Sequence, residues 1–245
     1  METLLRFDHV DAGYGRVKIL SDLSFEVNKG EVYGVIGPNG CGKTTMFNAL
    51  LGHIIPTKGT ITFHGTDITK CSPNQRCRMG IGRTYQVPRP FGSMSVYENV
   101  LVSAVYGGKH SERSAHSVVS DVLHQTGLYD KRDTISGSLP LLDLKRLEIA
   151  RAMGSEPTLL LLDEVAAGLT EAEVHDVMDL VASLRESGQT IIWIEHIIQT
   201  MVNSTDRLMC MSMGTNLLTG APLDVMNSQL VQEVYLGAEE DDENE

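Results

Sequence analysis

The chain has 245 residues, 42% hydrophobic and 21% charged, which is enough apolar material for one large domain or for a core with one inserted subdomain. Its formal net charge is −12, from 32 acids against 20 bases; six of the acids fall in residues 239–245, so the body carries −6, the −12 less those six. An acidic body lacks the basic face that displaces counterions and so excludes a general nucleic-acid binder, and no apolar run nears the ~20 residues that span a bilayer.

In chain order, residues 4–10 alternate and predict a strand, and residues 25–27 and 32–36 are strand-like. Residues 37–42 form a glycine-rich loop, followed by a helix over 43–51. Pro56 and Gly59 punctuate a turn over 52–59, and residues 60–64 make a strand ended by Gly65. Residues 73–79 read as a helix and 81–86 as extended. From Val87 the pattern changes: Pro88, Pro90 and Gly92 break regular structure, and helices are predicted over 96–105, 114–126 and 143–153. Strand and helix then alternate again: a buried strand over 158–162, a helix over 171–186, a strand over 190–194, a short helix over 197–203 and a strand over 207–212. Such alternation predicts an α/β fold whose mainly parallel sheet is covered on both faces, with the helical segment inserted.

The strongest chemical signal is Gly37-Pro38-Asn39-Gly40-Cys41-Gly42-Lys43-Thr44, which fits G-x-x-x-x-G-K-[ST] between a predicted strand and a predicted helix. Glycines let the backbone curl so that several N–H groups face one centre, and the helix N-terminus adds partial positive charge there. Lys43 is suited to neutralise β- and γ-phosphate oxygens, and the Thr44 hydroxyl to ligate Mg²⁺. The expected ligands are therefore ATP and Mg²⁺, and ATP hydrolysis is the expected reaction.

Downstream, Leu159-Leu160-Leu161-Leu162 is an apolar strand ending in Asp163-Glu164. Such a strand delivers its last residues to the carboxyl edge of a sheet, where doubly wound folds bind ligands. Asp163 is placed to hold Mg²⁺, and Glu164, pointing the other way along the pleat, to polarise the attacking water. His196 follows the apolar strand Ile191-Ile192-Trp193-Ile194 and is a candidate hydrogen-bond partner of the γ-phosphate, although a lone histidine at a strand end is more often structural. Gln86, after Arg83-Thr84-Tyr85, carries no chemical argument by itself.

Together these residues resemble the ATP-binding subunit of an ABC transporter, over nearly the whole chain. Gly37–Thr44 resembles Walker A, and residues 159–164 Walker B plus the catalytic glutamate. Gln86 matches the Q-loop and His196 the switch histidine. Tyr14, in Gly13-Tyr14-Gly15, is similar to the aromatic residue that stacks on adenine; read without context it is a surface tyrosine in a turn. The resemblance implies a P-loop NTPase of ABC type: an ATP-binding core over 1–86 and 155–237 with an antiparallel β part, a helical subdomain over 87–154, and an acidic tail over 238–245. It implies Glu164, His196 and Lys43 as catalytic groups. Nucleotide contacts would come from Tyr14, residues 37–45 (Thr45 included) and Gln86, and Mg²⁺ contacts from Thr44, Gln86 and Asp163.

Within that family the chain resembles the ATPases of branched-chain amino-acid importers. The stretches that carry this are Gly82-Arg83-Thr84-Tyr85-Gln86, Met94-Ser95-Val96-Tyr97-Glu98-Asn99-Val100, Lys145-Arg146-Leu147-Glu148-Ile149-Ala150-Arg151 and Val234-Tyr235-Leu236-Gly237. Urea and lipopolysaccharide-transport ATPases share parts of the pattern. The implied function is to power uptake of branched-chain amino acids or a related small polar solute. The implied partners are membrane permease subunits, a second ATPase subunit (identical or different) and, indirectly, an extracytoplasmic solute-binding protein. The segment 87–100, with Phe91 and Met94, is expected to meet a permease helix, which puts the chain at the cytoplasmic face of the membrane.

The chain departs from the family at the L-S-G-G-Q signature, which works in trans on the partner's γ-phosphate. Counting back from Ala150-Arg151 places it on Leu139-Pro140-Leu141-Leu142-Asp143, with proline for serine and leucines for both glycines. Ser136-Gly137 lies three residues earlier and fits only with a gap. Two readings follow: pairing with a different subunit that supplies an intact signature, or a tolerated variant in which the remaining N–H groups suffice. Ala167-Gly168-Leu169-Thr170 resembles the D-loop with Thr170 for the usual acid, and Val165 replaces the usual proline after Glu164.

A regulatory or nucleic-acid-related ABC ATPase is the alternative class; its repair and translation members carry coiled-coil inserts or a second ATPase domain, and neither is present here. Cys41, Cys71, Cys77 and Cys210 show no C-x-x-C or zinc spacing, and the first residues lack the apolar stretch of a signal peptide, so a reduced cytosolic chain is expected.

Overall fold

Alternating burial along Thr3–Tyr14 (β1) and Val17–Asn28 (β2) makes a long hairpin that hides one face of each strand. Phe7 lies opposite Phe25, and their rings stack with centroids 4.6 Å apart. The register slips between Phe7 and Val10, where His9 and, across the hairpin, Asp22 adopt φ of 51° and 57°. This β-bulge hid the first half of β2 from the sequence: burial alternates cleanly only from Leu23 to Val27, past the break at Asp22. Lys58–Phe63 (β4) pairs antiparallel with the other edge of β1, and Thr66–Asp67 (β5) extends it. The strand order is β2-β1-β4-β5, so β4 takes the last two residues of the predicted 52–59 turn.

The structure, a computed structural model, describes residues 2–108 and 111–234. The predicted acidic tail and Tyr235-Leu236-Gly237 of the predicted ending lie outside the described residues. The chain divides into two units, Met1–Pro73 with Ile192–Glu245, and Asn74–Ile191.

The first unit also holds Val32–Ile36 (β3), buried throughout and parallel to Arg207–Ser212 (β9). The strand Thr215–Gly220 (β10) turns back antiparallel on β9 through Met213 and Gly214, whose φ values are 46° and 75°. Every residue of β10 is half-buried, which gives no period for sequence reasoning to find. Helix Lys43–Leu51 (α1) follows β3, and Ile198–Ser204 (α7) and Pro222–Met226 (α8) flank β9 in sequence. Strand Thr190–Ile194 (β8), buried throughout, begins in the second unit and ends in the first.

In the second unit, Ile81–Arg83 (β6) pairs parallel with Leu159–Asp163 (β7), Gly82 opposite Leu160. Helix Pro73–Arg78 (α2) precedes β6. Helices Val96–Tyr106 (α3), Glu112–Gln125 (α4), Leu141–Met153 (α5) and Glu171–Glu186 (α6) complete the unit, with α3 packed on α4 and α5. The predicted helical segment 87–154 thus shares a unit with β6, β7 and α6. Helix α5 starts two residues before its predicted start, directly after Pro140, whose fixed φ of −65° suits a helix entry. The predicted extended run 81–86 is a strand only to Arg83.

Asn99 shows why the 94–100 stretch reads as it does. Fully buried on α3, its Oδ1 accepts from the N–H of Phe91 at 2.8 Å, and its Nδ2 donates to the carbonyl of Ser95 at 2.9 Å and to Ser136 Oγ at 3.2 Å. One amide therefore pins the loop before α3 to the turn at Ser136. Asn99→Ala would leave several of these groups unsatisfied, so a stability loss of about 2–3 kcal/mol is expected in denaturant unfolding, with no change in m-value.

Candidate functional site

The site residues fall into two sets, one in each unit. In the first unit, β3 ends at Ile36 and the chain enters the glycine loop. Gly37 has φ of 149°, and a Cβ there would meet the carbonyl oxygen of Met211 at 2.3 Å; Gly42, at φ of 110°, is the N-cap of α1. Both conformations favour glycine. The loop is braced by Cys41 N–H donating to Pro38 O at 3.3 Å and Gly214 N–H donating to Cys41 O at 2.9 Å. The first intrahelical bond of α1 is Met46 N–H to Gly42 O, 2.9 Å. The N–H groups of Lys43, Thr44 and Thr45 therefore have no acceptor within the helix and are suited to an anion.

Lys43 is buried, with Nζ donating to Gly37 O at 2.5 Å and Pro38 O at 3.0 Å, so the ammonium lies over the loop it serves. Thr44 is exposed, and Thr45 is buried. Burial pushes the Cys41 thiol up against the opposing pull of Lys43, and the Cys210 thiol to about 11. Both stay protonated at neutral pH, which suits a structural thiol. Tyr14 ends β1 half-exposed, and its hydroxyl accepts from Asn48 Nδ2 of α1 at 2.9 Å. Asn48 is a support that the sequence did not reveal. His196 is exposed just beyond β8, its N–H donating to Glu195 Oε2 at 3.2 Å, and Glu195 itself is buried.

In the second unit, Asp163 is the buried last residue of β7, and its N–H donates to Thr84 Oγ1 at 3.1 Å. Arg83 Nη2 donates to Asp163 Oδ2 at 2.6 Å, with both side chains about nine-tenths buried. Glu164 follows with φ of 47°, a left-handed conformation that a non-glycine residue adopts at a cost, and one that turns its side chain off the strand. Gln86 Nε2 donates to Glu164 Oε2, so two of the predicted residues meet directly. Lys145 of α5, buried, donates to the carbonyls of Gln86 at 2.7 Å and Glu164 at 3.1 Å. Arg83 and Lys145 stood in the recognised stretches without a role; their partners are distant in sequence, and no local signal marks them.

The signature region resolves between its two registers. Ser136 N–H donates to Met94 O at 2.9 Å and Gly137 N–H to Gly92 O at 3.1 Å, so neither is free for a phosphate. In the ungapped register Pro140, which has no N–H, is the N-cap of the helix, and Asp143, buried, is ion-paired with Lys131. Thr170 is the N-cap of α6, accepting from Glu173 N–H at 3.4 Å and donating to its carboxylate at 2.7 Å, a role that threonine and an acid share.

Among the described residues no cluster of three or more His, Cys, Asp or Glu side chains could hold a metal ion. The donors proposed for Mg²⁺, the Thr44 hydroxyl, the Gln86 amide oxygen and the Asp163 carboxylate, are hard oxygens of the kind that holds this ion with help from phosphate and water.

The sequence profile of a family described as "ABC transporter" matches residues 20–167. The chain is 34% identical over 251 residues to the high-affinity branched-chain amino acid transport ATP-binding protein LivG of Salmonella typhimurium, covering 96% of this chain and 98% of that protein. It is 30% identical over 235 residues to the lipopolysaccharide export system ATP-binding protein LptB of Haemophilus influenzae, with coverage of 96% and 98%. A crystal structure of the ADP conformation of an ATP-binding cassette of an ABC transporter superposes with a TM-score of 0.89 at 30% identity, covering 97% of this chain and all of that one.

Proposed function

Because the chain belongs to the ABC transporter family as an ATPase subunit, we propose that it powers a membrane permease importing branched-chain amino acids or a related small polar solute. The hydrolytic reading is carried by the group at the end of β7: Asp163, then Glu164 in a strained turn with Gln86 on its carboxylate. Import is supported by the 34% identity to LivG across 96% of the chain.

In this reading the loop Gly37, Pro38, Asn39, Gly40, Cys41 and Gly42 wraps the β-phosphate, Pro38 shaping the turn without an N–H to give, and main-chain N–H groups of the loop and of Thr45 on α1 donate to the phosphate. Tyr14 lies against the adenine. Lys43 offsets charge on the β- and γ-phosphates. Thr44, Asp163 and Gln86 would hold Mg²⁺, whose charge would offset that of the phosphate oxygens. Glu164 orients a water and draws its proton as the water oxygen bonds to the γ-phosphorus; the bond to the β–γ bridging oxygen breaks and ADP departs. His196 donates to the γ-phosphate, and Gln86 passes its presence to the 87–154 helical subdomain, which meets the permease.

No helix of the described residues is long and apolar enough to cross a membrane. In the proposed reading the chain works as a peripheral subunit held at the cytoplasmic face by its permease, with the solute-binding protein across the membrane. A second ATPase completes the pair. Pro140 at the start of α5, and Ser136 and Gly137 with their N–H groups engaged, favour a partner of different sequence that brings its own signature.

The test is the complex purified from its native membrane through a tag on this chain and placed in vesicles with its binding protein. ATP-dependent uptake of labelled leucine, isoleucine or valine is the expected result. Hydrolysis that responds to lipopolysaccharide and not to amino acids would overturn import, the direction served by LptB being export.

A further inference from the structure

Lys145 is almost wholly buried, at 2% exposure, and it donates to two main-chain oxygens. An ammonium has three donors and no acceptor, so burial is tolerated only where carbonyls or carboxylates converge on it. Here the carbonyls belong to Gln86 and Glu164, residues 59 and 19 positions away in sequence, whose side chains also bond to each other. Glu164 is moreover the residue of that turn with a left-handed backbone, and such a conformation persists only where its surroundings over-determine it. Its carbonyl accepts from Lys145 Nζ at 3.1 Å and from Ala167 N–H at 3.2 Å.

We propose that Lys145 is a positioning residue for hydrolysis: from one point on α5 it fixes the backbones of Glu164 and Gln86, and so the aim of the water-activating carboxylate. The inference rests on the reading of Glu164 as the group that orients water. Helix α5 opens on Pro140, at the signature position, so Lys145 also ties that end of the helix to Glu164 and Gln86. A shift of α5 then reaches both residues together. The phosphate loop, Gly37 to Thr44, takes no part in these bonds, so Lys145 is expected to govern turnover and not nucleotide affinity.

The experiment compares Lys145→Met, Lys145→Gln and Lys145→Arg with wild type in the purified complex, reading kcat and KM for ATP and the affinity for a fluorescent ATP analogue. Lys145→Met, similar in length and without a donor, is expected to lower kcat by about tenfold to a hundredfold, the scale on which small misplacement of a reacting group acts. KM and analogue affinity should stay within about twofold. Lys145→Arg, which keeps cationic donors, is expected to recover most of kcat, and Lys145→Gln to fall between. In a Glu164→Gln background, Lys145→Met should add no further loss of single-turnover rate, because it acts through Glu164. A kcat near wild type in Lys145→Met overturns the proposal, and so does a loss of kcat matched by lost affinity and not recovered by arginine. If Lys145→Met does not fold, the kcat and KM of Lys145→Gln decide by the same criteria. Full turnover in Glu164→Gln alone would instead overturn the reading of Glu164, whatever the lysine variants do.

Discussion

Glu164→Gln is expected to lower ATP turnover by the assembled complex by about 10²–10⁴-fold, the range of a positioned general base, while ATP affinity stays near wild type. The substitution keeps the shape of the side chain and removes its charge and basicity. Gln86 Nε2 can still donate to the remaining carbonyl oxygen, and Lys145 and Ala167 can still hold the main chain of residue 164, so the local turn is retained. The water loses the group that draws its proton. Single-turnover phosphate release alongside fluorescent-analogue binding separates the two effects: binding preserved with release abolished is the signature of a lost base. Turnover within a few-fold of wild type would move catalysis to another group, with His196 the next candidate.

Lys43→Ala is expected to act on the other side of that division. Its ammonium neutralises phosphate charge and also closes the loop through Gly37 O and Pro38 O, so its removal weakens both the attraction and the shape of the cradle. A fall in turnover of about 10²–10³-fold is expected, on the scale of losing one preorganised donor to the transferring group, together with weaker binding of the ATP analogue. Lys43→Arg should rescue little, because this ammonium must act as a compact point charge on the phosphates as well as on Gly37 O and Pro38 O, which a planar fork does not do. Unchanged analogue binding in Lys43→Ala would detach the glycine loop from the nucleotide.

The phosphate loop and the acid pair were legible in the sequence because their chemistry is local. The bounds of β3, α1, α6, β8 and β9 are those that apolar runs and helical periodicity predict, since each is buried throughout or on a regular stripe. What stayed hidden depends on partners far along the chain. The bulge at His9 and Asp22 broke the pattern of β2, and half-burial left β10 without a period. Arg83 and Lys145 had no role in the sequence, because Asp163 and the carbonyls of Gln86 and Glu164 reach them only in the fold. The ungapped signature register over 139–143 was favoured from the sequence over one on Ser136 and Gly137, which needs a gap; in the fold Met94 and Gly92 take the N–H groups of Ser136 and Gly137. The division of the chain into an ATP-binding core and a helical subdomain over 87–154 remains a proposal drawn from the family.

The account rests most heavily on one claim, that this chain holds ATP in a competent site and needs a partner of different sequence to close over it. Size-exclusion chromatography of the purified Glu164→Gln chain, with and without MgATP, tests it most directly. The account predicts a chain that binds ATP and elutes as a monomer in both runs, because Pro140 and the two leucines after it offer no signature to a second copy. An ATP-dependent homodimer would contradict it, and would mean that residues 139–143 close over a nucleotide as they stand.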